Sequence, residues 1–302
     1  MSNDYQIHSF GCKVNNYDAG MIQKNMNGFG FSTDSNSKVH VLNTCAVTAE
    51  ATKEAAKLAQ KIKRNNPDSV VVVTGCSAQV DTEVFQNLEC VDLVVANSHK
   101  GMLPNLIKQY LNGDLDEKIF KSNIFKKEDL EEGGGLEETR TRSFLKIQDG
   151  CNSFCTYCVI PFARGKSRSI SIQNLVNRIN SLYELGKQEV VLTGIHIGDY
   201  EDESVNGKLE DLIESVLLNT KMPRIRLTSL EPVELSDRLI ELYQDERMCK
   251  HFHMSIQSAQ DSVLAAMKRK YTQKDVINSL NKIEDKVKNA FVGMDVIAGF
   301  AN

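Results

Sequence analysis

The sequence predicts an α/β chain in two parts: an N-terminal parallel-sheet domain of Rossmann-like form, then a partial (β/α) barrel. Three observations predict it. Strand and helix signals alternate through the first 111 residues. A glycine-rich acidic stretch then interrupts the alternation. A second βα series starts at Ser143 and repeats at the length of barrel units.

In the first series, residues 6–10 read as a short strand and 18–27 as a helix on which Met21, Ile22 and Met26 share a face. A strand at 39–42 leads to a helix from about 49 to 64, which Asn65, Asn66 and Pro67 stop. Residues 70–73 are a continuous valine run, suited to a strand covered on both faces. A helix near 82–88, a strand at 93–95 and a helix near 100–111 complete a domain placed at 1–118. Residues 119–140 read as a linker, because Glu128, Asp129, Glu131, Glu132, Glu137 and Glu138 surround Gly133, Gly134 and Gly135. From 141 to 302, strands are expected at 144–148, 189–193, 224–228, 251–256 and 291–297. Helices are expected at about 171–185, 207–219, 235–246 and 273–288. Five strands fit before the sequence stops after an apolar strand, so a fragment lacking the last barrel strand is expected.

The 302 residues are 41% hydrophobic and 25% charged, ordinary globular usage. Net charge is 36 − 40 = −4, so any nucleic-acid contact has to come from a local basic patch. No run of about 18 apolar residues is present, so no transmembrane helix is expected. The first residues are polar and lack the apolar core of a secretory signal. The expected compartment is therefore the cytoplasm, where eight cysteines point to metal binding or catalysis rather than to disulfides.

The sequence Asp149-Gly150-Cys151-Asn152-Ser153-Phe154-Cys155-Thr156-Tyr157-Cys158 contains C-x3-C-x2-C directly after a strand. Three thiolates this close can wrap one corner of a [4Fe–4S] cube and leave the fourth iron open to a ligand. A zinc knuckle would need a fourth Cys or His nearby, and the first histidine after the motif is His196. Three further cysteines follow strands: Cys12 after Phe10-Gly11, Cys45 after Asn43-Thr44, and Cys76 after Thr74-Gly75. Any one alone reads as a small buried apolar residue. In a parallel sheet, however, the carboxyl ends of strands share one edge. The three can therefore converge there as ligands of a second cluster, with glycines beside Cys12 and Cys76 permitting close backbone approach. Cys90 and Cys249 have no such placement and read as structural.

At these residues the chain resembles the radical S-adenosylmethionine (SAM) methylthiotransferase family. Gly11-Cys12-Lys13-Val14-Asn15, Asn43-Thr44-Cys45 and Gly75-Cys76 resemble its three N-terminal cluster segments. The stretch from Phe144 through Cys158 to Gly165 resembles its radical-SAM segment. Leu192-Thr193-Gly194, Arg226 through Pro232, His253 through Ser258, Lys268 through Thr272 and Asp295 through Phe300 are similar to its later barrel segments.

The resemblance implies a radical-SAM barrel with two [4Fe–4S] clusters, one on Cys151, Cys155 and Cys158 and an auxiliary one on Cys12, Cys45 and Cys76. It implies that SAM is cleaved reductively to a 5′-deoxyadenosyl radical, and that a methylated sulfur is inserted at a C–H bond. Gly-Cys-Lys-Val-Asn most resembles the branch acting at C2 of N6-threonylcarbamoyladenosine at tRNA position 37. The isopentenyladenosine and ribosomal-protein aspartate branches are the alternatives, and a non-catalytic iron–sulfur protein is a rival of another class. The implied partners are the tRNA anticodon loop, SAM and a flavodoxin- or ferredoxin-like electron donor.

The resemblance assigns Tyr157, Thr193 and Gly194 to SAM, while Arg164 and Arg168, closest to the cluster loop, are expected to contact SAM or substrate, and Glu231, after the third strand, is expected to bind ribose or amine groups. Lys13 and Asn15 are expected to line the second cluster or the substrate pocket. Arg140, Arg142, Lys146, Arg164, Lys166 and Arg168 form a basic neighbourhood suited to RNA phosphates or to a solvated face. His196, His251 and His253 lack metal-like spacing and read as structural. The chain departs from the family at Gln257-Ser258-Ala259-Gln260-Asp261 and at Gly299-Phe300-Ala301-Asn302. The family's small RNA-binding domain is not within the sequence.

Overall fold

A computed structural model describes residues 4–34, 37–128, 130 and 141–300. The chain divides into two compact units. One is Met1–Gly135 together with Val159–Lys166, and the other is Leu136–Cys158 together with Ser167–Asn302.

The first unit is built on six parallel strands: β1 (Asp4–Ser9), β2 (Ser32–Thr33), β3 (Val39–Thr44), β4 (Val70–Gly75), β5 (Leu93–Ala96) and β6 (Ile119–Phe120), in the order β2-β1-β3-β4-β5-β6. Its helices are α1 (Lys13–Gly28), α2 (Ala49–Asn65), α3 (Cys76–Val80), α4 (Thr82–Gln86), α5 (Leu103–Asn112) and, from the second segment, α6 (Ile160–Arg164). Every residue of β4 is buried. Successive side chains of a strand point to opposite faces. Accordingly Val70 and Val72 join a core with Met21, Ile22, Leu106 and Ile107, while Val71 and Val73 join another with Ala55, Ala59, Ile62 and Phe85.

Local chemistry sets the helix ends. The Thr48 hydroxyl accepts from the Ala51 N–H at the start of α2, Glu50 sits in its first turn, and Lys63 and Arg64 lie in its last. Gly113, at φ 80°, closes α5 in the left-handed region.

Two differences from the sequence reading have physical causes. α1 starts at Lys13 because the buried Asn15 and Asp18 face inward, which an apolar periodicity cannot register. The 119–140 linker gives up its first residues, since Ile119–Phe120 pairs with β5 and Ile124 is buried in a 3₁₀ turn. Residue 129 and residues 131–140, with their glycines and acids, lie outside the described residues.

The second unit carries β7 (Arg142–Lys146), β8 (Gln148–Asp149), β9 (Arg168–Ser169), α7 (Ile172–Glu184), β10 (Glu189–Thr193), β11 (Glu201–Asp202), β12 (Gly207–Lys208), α8 (Leu209–Asn219), β13 (Ile225–Leu227), α9 (Asp237–Leu242), β14 (His251–Gln257), α10 (Asp261–Ala266), α11 (Gln273–Lys286) and β15 (Phe291–Val296). β7, β10 and β13 pair in parallel, β14 and β15 do the same, and bridges at Ile225–Met248 and Leu230–Met254 link the two sets. These strands therefore follow one another in sequence order with helices between, as in a (β/α) barrel. No helix among the described residues is long and apolar enough to cross a membrane.

On the first sheet the His8 and His40 rings stack 5.4 Å apart, with His8 Nε2 3.1 Å from His40 Nδ1. Burial, and for His8 also the charge of His40, holds both below the usual imidazole range. The neutral rings suit the fold, whereas the unfolded chain takes up protons near pH ~6.5. Their contribution is thus intact above ~6.5 and is lost as pH falls through that value. We expect the urea midpoint of the first unit to fall between about pH 7.5 and about pH 5.5, and His40→Gln to flatten that slope. An unchanged slope in the variant would show that the pair does not govern it.

Candidate cluster and cofactor sites

In the second unit the cysteine loop leaves β8 through Gly150, which has φ 76°. Gln148 holds it from beneath. Its Oε1 accepts from the N–H groups of Ile195 (3.0 Å) and His196 (2.9 Å), and its Nε2 donates to Gly150 O (2.7 Å) and Ser167 Oγ (2.8 Å). One buried amide thus ties the cysteine loop to the turn after β10. Beside it, Lys146 Nζ lies 2.9 Å from Asp149 Oδ2, and Asp149 Oδ1 accepts from Gly150 N–H. Further along, Thr156 is held by its N–H and Oγ to the carbonyls of Met267 and Ala266.

None of the three cysteines of this loop is in a disulfide. Arg269 Nη1 donates to Cys155 Sγ at 3.3 Å, and Ser153 N–H donates to Cys151 Sγ at 3.4 Å. Burial works to raise the Cys151 thiol, but His196 and Ser153 outweigh it and the net direction is down. Three sulfurs on one loop, two of them supplied with N–H donors, form a set suited to a [4Fe–4S] cluster with three protein ligands.

His196 adjoins that set, with Nδ1 3.9 Å from Cys151 Sγ. Its Nδ1 is 3.0 Å from Asp199 Oδ2, and its Nε2 is bonded to Glu234. Burial works against its charge, but Asp199, Cys151 and Glu234 raise its pKa far above the usual range. Both ring nitrogens meet carboxylates, an arrangement that favours the protonated ring, and the same side chains lie close enough together to hold a metal ion.

Glu231 lies 2.9 Å from Arg269 Nη2 and 3.5 Å from His196 Nε2, and burial pushes its carboxyl up despite both cations. The Thr193 hydroxyl meets that of Thr228 at 3.3 Å. Gly194 has no room for a side chain, because a Cβ there would lie 2.9 Å from Ile197 and 3.0 Å from Gln148 O. Tyr157 is exposed, with its ring edge-on to Phe300. Tyr157, Thr193, Gly194 and Glu231 all belong to this unit.

In the first unit Cys12, Cys45 and Cys76 follow β1, β3 and β4, which are adjacent in the sheet. Cys45 and Cys76 are buried and Cys12 is exposed. Gly11, at φ 87°, is where the chain must come close: a Cβ there would lie 2.5 Å from Cys45 Sγ. A Cβ on Gly75, at φ 96°, would meet Thr44 O at 2.4 Å. Burial raises the Cys45 thiol, the Val47 N–H opposes this, Cys76 and Cys12 add to it, and Arg164 opposes it. The other two thiols are thus near enough for Cys45 to sense. Asn97 Nδ2 lies 3.7 Å from Cys76 Sγ, and Ser77 Oγ donates to Cys45 O at 2.6 Å. Asn43 and Asn97 each keep a buried side-chain oxygen with no hydrogen-bond partner beside this edge. Three free sulfurs on three neighbouring strand ends also suit a cluster with three protein ligands.

Arg164 and the basic neighbourhood are placed differently from the sequence reading. The Arg164 guanidinium is buried in the first unit on Asn15 Oδ1 (2.7 Å) and Asp18 Oδ2 (3.0 Å). Lys146 is buried on Asp149. Desolvated cations in pairs do not present themselves to phosphates. Arg142 and Lys166 are exposed, Arg168 is half-buried, and Arg140 lies outside the described residues. Lys13 is exposed, whereas Asn15 is buried with Nδ2 donating to Phe10 O and Thr44 O.

Sequence reasoning gave no role to Gln148, Arg269, Glu234, Asp18 or Lys100. Gln148 adjoins the motif and could have been found there. Arg269 sits in the Lys268 through Thr272 segment, where the family resemblance gave the arginine no role.

Residues 145–301 match the radical SAM superfamily, and residues 4–96 match the uncharacterized protein family UPF0004. The threonylcarbamoyladenosine tRNA methylthiotransferase MtaB of Rickettsia prowazekii is 37% identical over 98% of this chain and 68% of its own length. The Aquifex aeolicus protein of the same name is 35% identical over 97% and 72%. The tRNA-2-methylthio-N(6)-dimethylallyladenosine synthase of Endomicrobium trichonymphae is 30% identical over 98% and 69%. Among solved structures, the radical SAM methyltransferase TsrM from Kitasatospora setae superposes with TM-score 0.69 at 13% identity, covering 98% of this chain and 69% of that one. That likeness is one of fold.

Replacing Gln148 by Leu would strand Ile195 N–H, His196 N–H and Gly150 O in a buried place, at about 1–3 kcal/mol for each group left without a partner. We expect Gln148→Leu to lower the urea stability of the second unit by at least one such increment and to reduce iron bound at the C-x3-C-x2-C loop. Full stability and full iron content in the variant would show that the hub is dispensable.

Proposed function

Because the chain belongs to the methylthiotransferase family of the radical SAM superfamily, we propose that it inserts a methylthio group at C2 of N6-threonylcarbamoyladenosine at position 37 of tRNA. The observation that carries this reading is the second set of three free thiols, Cys12, Cys45 and Cys76, at neighbouring strand ends. A radical-SAM enzyme that only generates a radical has no need of it. The sequence Gly11-Cys12-Lys13-Val14-Asn15 and the MtaB relatives support the threonylcarbamoyl substrate.

In this reading Cys151, Cys155 and Cys158 hold the cluster that, when bound, supplies the electron for SAM cleavage, and Cys12, Cys45 and Cys76 hold a second cluster that supplies the sulfur. The chain contributes geometry and charge around both. Arg269 donates to Cys155 Sγ and Ser153 N–H to Cys151 Sγ, which orients both sulfurs. Gln148 fixes the loop, and the bare backbone of Gly194 lets the turn after β10 pack closely on Gln148 and Ile197. Glu231, Thr193 and Tyr157 serve SAM. Arg269, 2.9 Å from Glu231, works toward the ionised carboxylate against the burial that raises it. The target adenine has to be unstacked from the anticodon loop, at a cost of a few kcal/mol for an unpaired base. The reaction needs a flavodoxin- or ferredoxin-like reductant and runs in the cytoplasm, where tRNA is found.

Anaerobic iron–sulfur reconstitution tests the two-site arrangement. We expect about eight irons in the wild type and about four in each triple Cys→Ala variant. Loss of 5′-deoxyadenosine is expected in Cys151→Ala/Cys155→Ala/Cys158→Ala alone. About four irons in the wild type, with none lost from Cys12→Ala/Cys45→Ala/Cys76→Ala, would leave the N-terminal thiols structural and sink the reading. Mass spectrometry of tRNA nucleosides tests the substrate. A strain lacking the gene should retain threonylcarbamoyladenosine without its methylthio group. Loss of the group from the isopentenyl nucleoside instead would assign the chain to the other branch.

A further inference from the structure

The segment that follows Cys158 in the sequence folds with the first unit, and its short helix α6 is linked to the three cysteine loops through Asn15 and Asn97. Arg164 Nη2 donates to Asn15 Oδ1 at 2.7 Å. Asn15 Nδ2 in turn donates to Phe10 O (2.8 Å) and Thr44 O (2.9 Å), the carbonyls just before Gly11-Cys12 and Cys45. On the other side, Asn97 Nδ2 donates to Ala163 O at 2.9 Å and lies 3.7 Å from Cys76 Sγ. Arg164 and Lys100 also share one carboxylate oxygen of Asp18, each at 3.0 Å, with all three side chains buried.

Buried cations are costly, and hydrophobic replacements of similar volume are often as stable. A bare structural strut could be apolar. Two cations gathered at a thiol edge make physical sense if that edge carries negative charge in the working protein.

We infer that Arg164 is a positioning and charge-compensating residue of the Cys12/Cys45/Cys76 site, acting through Asn15 and seconded by Lys100 on Asp18. The inference rests on the reading of that site as a cluster. It gives Arg164 a task in the first unit in place of the SAM or substrate contact expected from its closeness to the cluster loop in sequence. Cluster potentials respond to local net charge, so removing a nearby cation makes electron uptake harder and lowers the potential.

The experiment uses the full chain carrying Cys151→Ala/Cys155→Ala/Cys158→Ala, which leaves one cluster to titrate. Arg164→Gln, Arg164→Lys and Lys100→Met are added singly, and iron content and midpoint potential are measured after anaerobic reconstitution. We expect a shift to lower potential in Arg164→Gln and in Lys100→Met at about four irons per chain, with Arg164→Lys returning toward the parent value. Bound iron with an unmoved potential in Arg164→Gln overturns the inference. Should Arg164→Gln fail to fold or to bind iron, Lys100→Met decides, and an unmoved potential there overturns it equally. If the parent binds no iron, the cluster reading itself fails and takes the inference with it, an outcome distinct from iron present at constant potential.

Discussion

In a parallel sheet all strands run one way, so every strand delivers the residue after its last hydrogen bond to the same edge. The first unit depends on this constraint. Cys12, Cys45 and Cys76 are far apart in sequence, yet β1, β3 and β4 are neighbours and end together. The valine-rich interior of β4 holds them there, because a strand buried on both faces cannot slip by one residue without turning its side chains into the wrong core. Packing in the middle of the sheet is thus what sets the spacing of sulfurs at its rim.

The two thiol sets share a manner of support. Each has a buried amide that bridges two loops through both ends of its carboxamide: Gln148 in one unit and Asn15 in the other. Each also has buried cations held by carboxylates, Arg269 on Glu231 and Lys146 on Asp149 in one, Arg164 and Lys100 on Asp18 in the other. Amides satisfied at both ends fix a loop without adding charge, whereas the ion pairs add field at the expense of desolvation. Neither device resembles the apolar packing that holds the sheet.

Much of the architecture was legible because it rests on apolar periodicity. The Val70 to Val73 run and the alternation of strands with amphipathic helices required no partner to be known. The six cysteines were legible because their spacing and position after strands carry chemical meaning. Asp18 and Lys100 were not, since a charged residue in a helix or turn reads as solvated until its partner is found far along the chain. The partners of Arg164 were illegible for the same reason: it follows Cys158 closely in sequence, yet folding pairs it with Asn15 and Asp18. β6 escaped notice because two apolar residues are too few to show a period.

The exposure of Cys12, beside the burial of Cys45 and Cys76, makes the N-terminal thiol edge asymmetric. A molecule arriving from solvent reaches the sulfur of Cys12 before those of Cys45 and Cys76. The same asymmetry orders damage, because dissolved oxidants meet Cys12 first.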